Sequence, residues 1–117
     1  MAVKESSTNY QNKIGMEDMC PVTLTLSKIG GRWKPVILYH LQEKPLRYGE
    51  LKRIIPGITE KMFIQQLKEL EKDSLVNREV INMVPPQVTY SLSVSGQSLA
   101  PILKEMSNWG KKYREAE

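Results

Sequence analysis

Apolar residues recur along this chain at two spacings, and the change from one to the other marks where helices give way to strands. As far as about residue 73 they return every three or four positions, which gathers them on one side of a helix. Val22, Leu24, Leu26 and Ile29 follow Pro21, a residue suited to a first helical turn, and Gly30-Gly31 stops the run. Trp33, Val36, Ile37, Tyr39, His40 and Leu41 predict a second helix from about Trp33 to Gln42, with Pro35 tolerated in its first turn and His40 on the inward side. Pro45 makes Glu43 to Tyr48 a loop with a short extended piece at residues 46–48. A third helix then carries Leu51, Ile54 and Ile55 and ends at Pro56-Gly57.

Thr59 is a good N-cap for a fourth helix from Glu60 to about Asp73, because its hydroxyl can accept from the free amides of the first turn. At ~100° per residue, Phe63, Leu67 and Leu70 fall on one stripe of this helix, with Lys61, Ile64, Gln65 and Lys68 opposite. From Leu75 the spacing is two. Val76, Arg78 and Val80 alternate with Asn77 and Glu79, and Val88, Tyr90 and Leu92 with Thr89 and Ser91, predicting two half-buried strands in a hairpin. The tip, Asn82 to Gln87, contains Pro85-Pro86, which cannot donate to a ladder. A long helix capped by Ser95 or Ser93 closes the chain, with Leu99, Ile102, Leu103, Met106, Trp109 and Tyr113 on one stripe.

These elements fit 117 residues as one domain with a modest core, 20–117, preceded by a polar, aperiodic stretch, 1–19, expected to be a flexible N-terminal arm. The fold class is mainly α with a small β-wing. No apolar run approaches the ~18 residues of a membrane span, and residues 1–19 lack the apolar core of a secretion signal. With a single cysteine, these features predict a cytoplasmic protein without a membrane partner. One cysteine and one histidine also leave no usual zinc ligand set, so neither metal nor cofactor is expected. No paired-carboxylate, Ser/His/Asp or phosphate-loop arrangement points to an enzyme.

Net charge is +4, a mild hint of an anionic partner, but its distribution is uneven. Residues 28–53 hold seven basic side chains against two acidic ones, a local +5. Helices joined by Pro-Gly and followed by a two-stranded ribbon are the order of a winged helix-turn-helix, whose recognition helix enters the major groove of double-stranded DNA. Gln65 and Gln66 can then bond adenine edges, Lys61 and Lys68 guanine or phosphate, and Thr59 a phosphate at the helix start. Arg78, Asn82 and Gln87 on the wing, and Arg47 before the third helix, would reach the backbone or minor groove.

The residues themselves resemble a known family. Cys20-Pro21-Val22, Ile29-Gly30-Gly31-Arg32-Trp33-Lys34-Pro35-Val36-Ile37-Leu38 and Arg47-Tyr48-Gly49-Glu50-Leu51 look like the HxlR-type bacterial transcriptional regulators. So do Pro56-Gly57-Ile58-Thr59-Glu60-Lys61-Met62, Gln66-Leu67-Lys68-Glu69-Leu70-Glu71, Val84-Pro85-Pro86-Gln87-Val88 and Tyr90-Ser91-Leu92, in the same order. The resemblance covers roughly Cys20 to Trp109. It implies a homodimer joined through its first and last helices on a palindromic operator. Val22, Leu26, Leu99, Ile102, Met106 and Trp109 are the candidate dimer interface, and the apolar stripe of the last helix, long for the available core, independently suggests a partner. Three positions depart from the pattern: Ser74 where glycine is usual, Thr89 where glutamate is usual and Phe63 where leucine is usual.

Cys20 matches the N-terminal cysteine with which members of this family sense oxidants or electrophiles. A thiol in the first turn of a helix is also acidified, so an oxidant or small-molecule effector acting there is the sharper reading and a buried space-filler the blander one. With no second cysteine, any disulfide would join two subunits or take up a small thiol. The alternative function is a winged-helix protein-interaction module, favoured by the apolar Met62 and Ile64 near the recognition face.

Overall fold

The structure, a computed structural model, describes residues 15–116, so residues 1–14 of the expected arm lie outside the described residues. The chain parts into two units between Gly30 and Gly31. In the first, a 3-10 turn at Met16–Asp18 precedes helix α1, Pro21–Ile29. Pro21 occupies the start of α1, where its missing N–H is no loss, and the Gly30 amide closes the end on Leu26 O at 2.7 Å. Val22 and Leu26 are both exposed on α1.

The second unit contains helices α2 (Lys34–His40), α3 (Tyr48–Arg53), α4 (Glu60–Lys72), α5 (Val94–Gln97) and α6 (Ala100–Ala116), and strands β1 (Leu46–Arg47), β2 (Val76–Ile81) and β3 (Gln87–Leu92). Its core lies where α2, α3 and α4 meet the sheet. Ile37 and Leu38 of α2, Leu51 of α3, and Phe63, Leu67 and Leu70 of α4 are all buried. Full burial of each such side chain stabilises the fold by roughly 1.5–3 kcal/mol. Phe63, the departure from leucine, fits without exposure, its ring 5.1 Å from that of Tyr48.

Four boundaries differ from the periodicity reading. The extended piece before α3 is a true strand: β1 pairs antiparallel with β3, Leu46 opposite Tyr90 and Arg47 opposite Thr89, so the sheet has three strands in the order β1-β3-β2. Tyr48 belongs to the helix that follows, where Glu50 Oε1 accepts from the Arg47 amide at 2.8 Å. Helix α3 stops at Arg53, leaving Ile54 exposed while Ile55 turns into the core. The closing helix is broken in two, because Pro101 has no N–H to offer Gln97 and the ladder resumes only at Leu103 N to Leu99 O, 3.0 Å.

Strand β2 also departs from simple alternation. Only Val76 is buried, and Arg78 and Val80 both face solvent, because the hairpin runs beyond the helices that cover its base. His40, expected inward, is half-buried at the end of α2, its ring edge-on to exposed Tyr39 at 5.5 Å. Along α6 only Leu103 is buried, and Leu99 just ahead of it is half-buried. The rest of the stripe, Ile102, Met106, Trp109 and Tyr113, is exposed, with the last two rings stacked at 4.9 Å.

Candidate nucleic-acid interface

Helices α3 and α4 are joined by the turn from Ile54 to Thr59, and two buried isoleucines, Ile55 and Ile58, anchor it to the core. Gly57 turns the chain with φ +87°, a conformation glycine adopts without steric cost. Thr59 then caps α4, its Oγ1 accepting from Met62 N at 3.1 Å. That leaves Glu60 and Lys61 exposed at the start of α4, where the first amides of a helix have no partner within it.

With Phe63, Leu67 and Leu70 held inside, the opposite face of α4 is turned out: Lys61, Ile64, Gln65 and Lys68 are all exposed. Gln66 is set apart from this group. It lies ~100° further round the helix, half-buried, and its Nε2 donates to Met62 Sδ at 3.4 Å. The structure therefore separates two glutamines that share one expected role, adenine contact, in the sequence reading.

Beside α4 stands the hairpin. Lys68 and Arg78 line one open groove together with Tyr48, Ile64, Glu71 and Tyr90. Arg78 sits opposite Tyr90 in the β2-β3 ladder, and this register places its guanidinium on the flank of the outward face of α4. Tyr48 Oη is buried there, and burial above all, then the Glu60 carboxylate beside it, holds its phenol above the ordinary range. Asn82 is exposed just past the end of β2. Arg47 and Gln87 lie at the other side of the sheet. With the Gln87 amide oxygen turned toward it, the guanidinium donates through Nε at 3.0 Å and Nη2 at 3.3 Å.

Not all of the basic run 28–53 is available to an anion. Lys34 is committed to Glu69, Nζ to Oε1 2.6 Å, whereas exposed Arg32 lies over the Trp33 ring, 4.4 Å from its centroid, with the edge of its guanidinium open. Glu69 in turn accepts from Gln65, Nε2 to Oε2 3.2 Å, and Lys34 foremost, then Gln65, hold its carboxyl below the usual range. This chain of contacts was missed from the sequence. Its Gln65–Glu69 half has the legible i,i+4 spacing, whereas nothing in the sequence joins Lys34 to Glu69.

Cys20, at the N-cap of α1, is exposed and free. The Thr23 amide above all, then the Val22 amide and the Thr23 hydroxyl, lower its thiol pKa. Its exposure in this chain is not that of a buried space-filler.

Among known proteins, the sequence profile described as HxlR-like helix-turn-helix matches residues 28–117. The chain is 44% identical to the HTH-type transcriptional regulator YybR of Bacillus subtilis over 113 residues, 97% of this chain and 87% of that one. Among solved structures it is similar to the redox regulator HypR in its reduced form, with TM-score 0.79 and 45% identity over 83% of this chain and 96% of that one. The oxidised form of HypR aligns at TM-score 0.77 and 47% identity, covering 80% and 96%. No helix among the described residues is long and apolar enough to cross a membrane.

Proposed function

Because the chain belongs to the HxlR-like helix-turn-helix family of transcriptional regulators, we propose that it regulates transcription as a homodimer bound to a palindromic operator, with Cys20 as its redox or electrophile switch. The observation that carries the reading is the outward face of α4. A capped, firmly anchored helix offers Lys61, Gln65 and Lys68 to solvent, with Arg78 of the wing beside it. Gln65 supplies paired donor and acceptor groups for a base edge, while Thr59, Lys61, Lys68, Arg78, Asn82, Arg47 and Gln87 supply phosphate contacts. Gln66 contributes from the flank by supporting Met62 rather than by reading a base.

Dimerisation is supported by the apolar side chains left in water: Val22 and Leu26 on α1, and Ile102, Met106 and Trp109 on α6, with half-buried Leu99 at its start. A two-fold pair would set two copies of α4 about one turn of DNA apart, ~34–36 Å. The exposed, acidified Cys20, together with similarity to a redox regulator, supports a thiol switch in which oxidation forms an intersubunit or mixed disulfide.

Gel-shift titration of the full chain against duplex DNA from upstream of its own gene, across a range of salt, is the direct test. Affinity falling steeply with salt, and changed by oxidant in the native protein but not in Cys20→Ser, is the expected result. A chain that ignores every duplex at low salt would turn attention to exposed Ile64 as part of a protein-docking face instead.

A further inference from the structure

Lys34 lies on α2, outside the helix-turn-helix, and its side chain is only 11% exposed, so it is poorly placed to meet a phosphate. Its partner is a residue of the recognition helix. Glu69 takes Lys34 on Oε1 at 2.6 Å and Gln65 on Oε2 at 3.2 Å, so one carboxylate spans the gap between a largely covered lysine and an exposed amide.

The chemistry of that carboxylate is selective. It can only accept, so it draws the Nε2 end of the Gln65 amide and repels the Oε1 end. A glutamine without such a partner presents either end outward and samples many rotamers. Here one N–H is committed, and the carbonyl oxygen and the second N–H remain, the acceptor and donor that an adenine edge requires. Lys34 fixes the carboxylate itself. Lys72 also faces Glu69 from the next turn, and without Lys34 the carboxylate is free to swing toward it.

We propose that Lys34 and Glu69 are positioning residues for base readout, holding the Gln65 amide in a single orientation on the outward face of α4. This rests on the reading of α4 as a DNA-recognition helix and deepens it. It also explains why a lysine within the basic run is withdrawn from solvent. Pre-orienting a reading group lowers the conformational cost of each contact it makes.

The experiment uses the full chain and a duplex selected from a random library by the native protein, with Kd measured for that duplex and for each single base-pair change. Gln65→Ala identifies the base pair that Gln65 reads. Lys34→Met and Glu69→Ala are expected to lose about tenfold of the discrimination at that same base pair, leaving discrimination elsewhere intact, and Lys34→Arg to keep most of it. Adding Glu69→Ala to Gln65→Ala should cost no further discrimination. Undiminished discrimination in Lys34→Met and Glu69→Ala, or a change spread equally over all duplexes, overturns the positioning role. If Gln65→Ala alters no single position although the native protein is sequence-specific, this inference fails while DNA binding stands. If the native chain selects no duplex at all, both fail together.

Discussion

Ser93 Oγ donates to the Ser74 carbonyl at 2.6 Å and accepts from the Gly96 amide at 3.0 Å, tying the turn after α4 to the start of α5. The turn it secures is a strained one. Ser74 has φ +60°, and the left-handed region costs an L-residue with a Cβ roughly 1–2 kcal/mol. This is the position where resemblance to the family leads one to expect glycine.

Ser74→Gly should therefore stabilise the protein by about 0.5–1 kcal/mol, the relief of strain exceeding glycine's greater loss of chain entropy. Urea unfolding measures it, and a lower midpoint would contradict the strain. Gly96→Ala should act in the opposite direction, since a Cβ there would clash with Leu75 O.

Thr59→Ala removes the hydroxyl that caps α4, and about 1 kcal/mol of stability is expected to go with it. Phe63→Ala, which empties a fully buried site, should cost about 3–5 kcal/mol. Both follow from thermal or urea denaturation of the DNA-free protein, and equal losses would mean that α4 is not anchored as described.

Gln65→Ala and Arg78→Ala should differ in kind. The first is expected to cost about 1–3 kcal/mol on one base pair, and the second to weaken all duplexes alike and flatten the salt dependence. Binding isotherms on a panel of single-change duplexes distinguish them.

The Glu69 carboxyl, held down first by Lys34, contributes stability that is complete above the pKa it has in the unfolded chain. That contribution disappears as pH falls through its lower folded value. The stability gap between the native chain and Glu69→Gln should therefore be flat from neutral pH into mild acid and close only below the ordinary carboxylate range. A gap that closes already near pH 6 would rule the bridge out as its source.

Iodoacetamide should alkylate Cys20 with a pH midpoint below that of an unperturbed cysteine, as the Thr23 and Val22 amides favour the thiolate. Mass spectrometry over a pH series reads this directly. For assembly, Trp109→Glu is expected to shift sedimentation toward monomer at micromolar concentration, because it places a charge in the proposed apolar contact of α6.

How much of this could be read in advance depends on how local the cause is. The burial of Phe63, Leu67 and Leu70, the Thr59 cap and the stops at Gly30-Gly31 and Pro56-Gly57 arise from spacing and backbone chemistry within a turn or two, and the sequence sufficed to locate them. The β1 pairing with β3, the break before α6 and the Lys34–Glu69 bridge became clear only in three dimensions. Two of these join residues far apart in the chain, and the break turns on one amide that Pro101 lacks within an otherwise continuous apolar stripe. Periodicity carries neither kind of information. The sequence by itself thus determined which polar side chains lie on the outward face of α4, while which of them are free, and which are held in place by others, was decided by the fold.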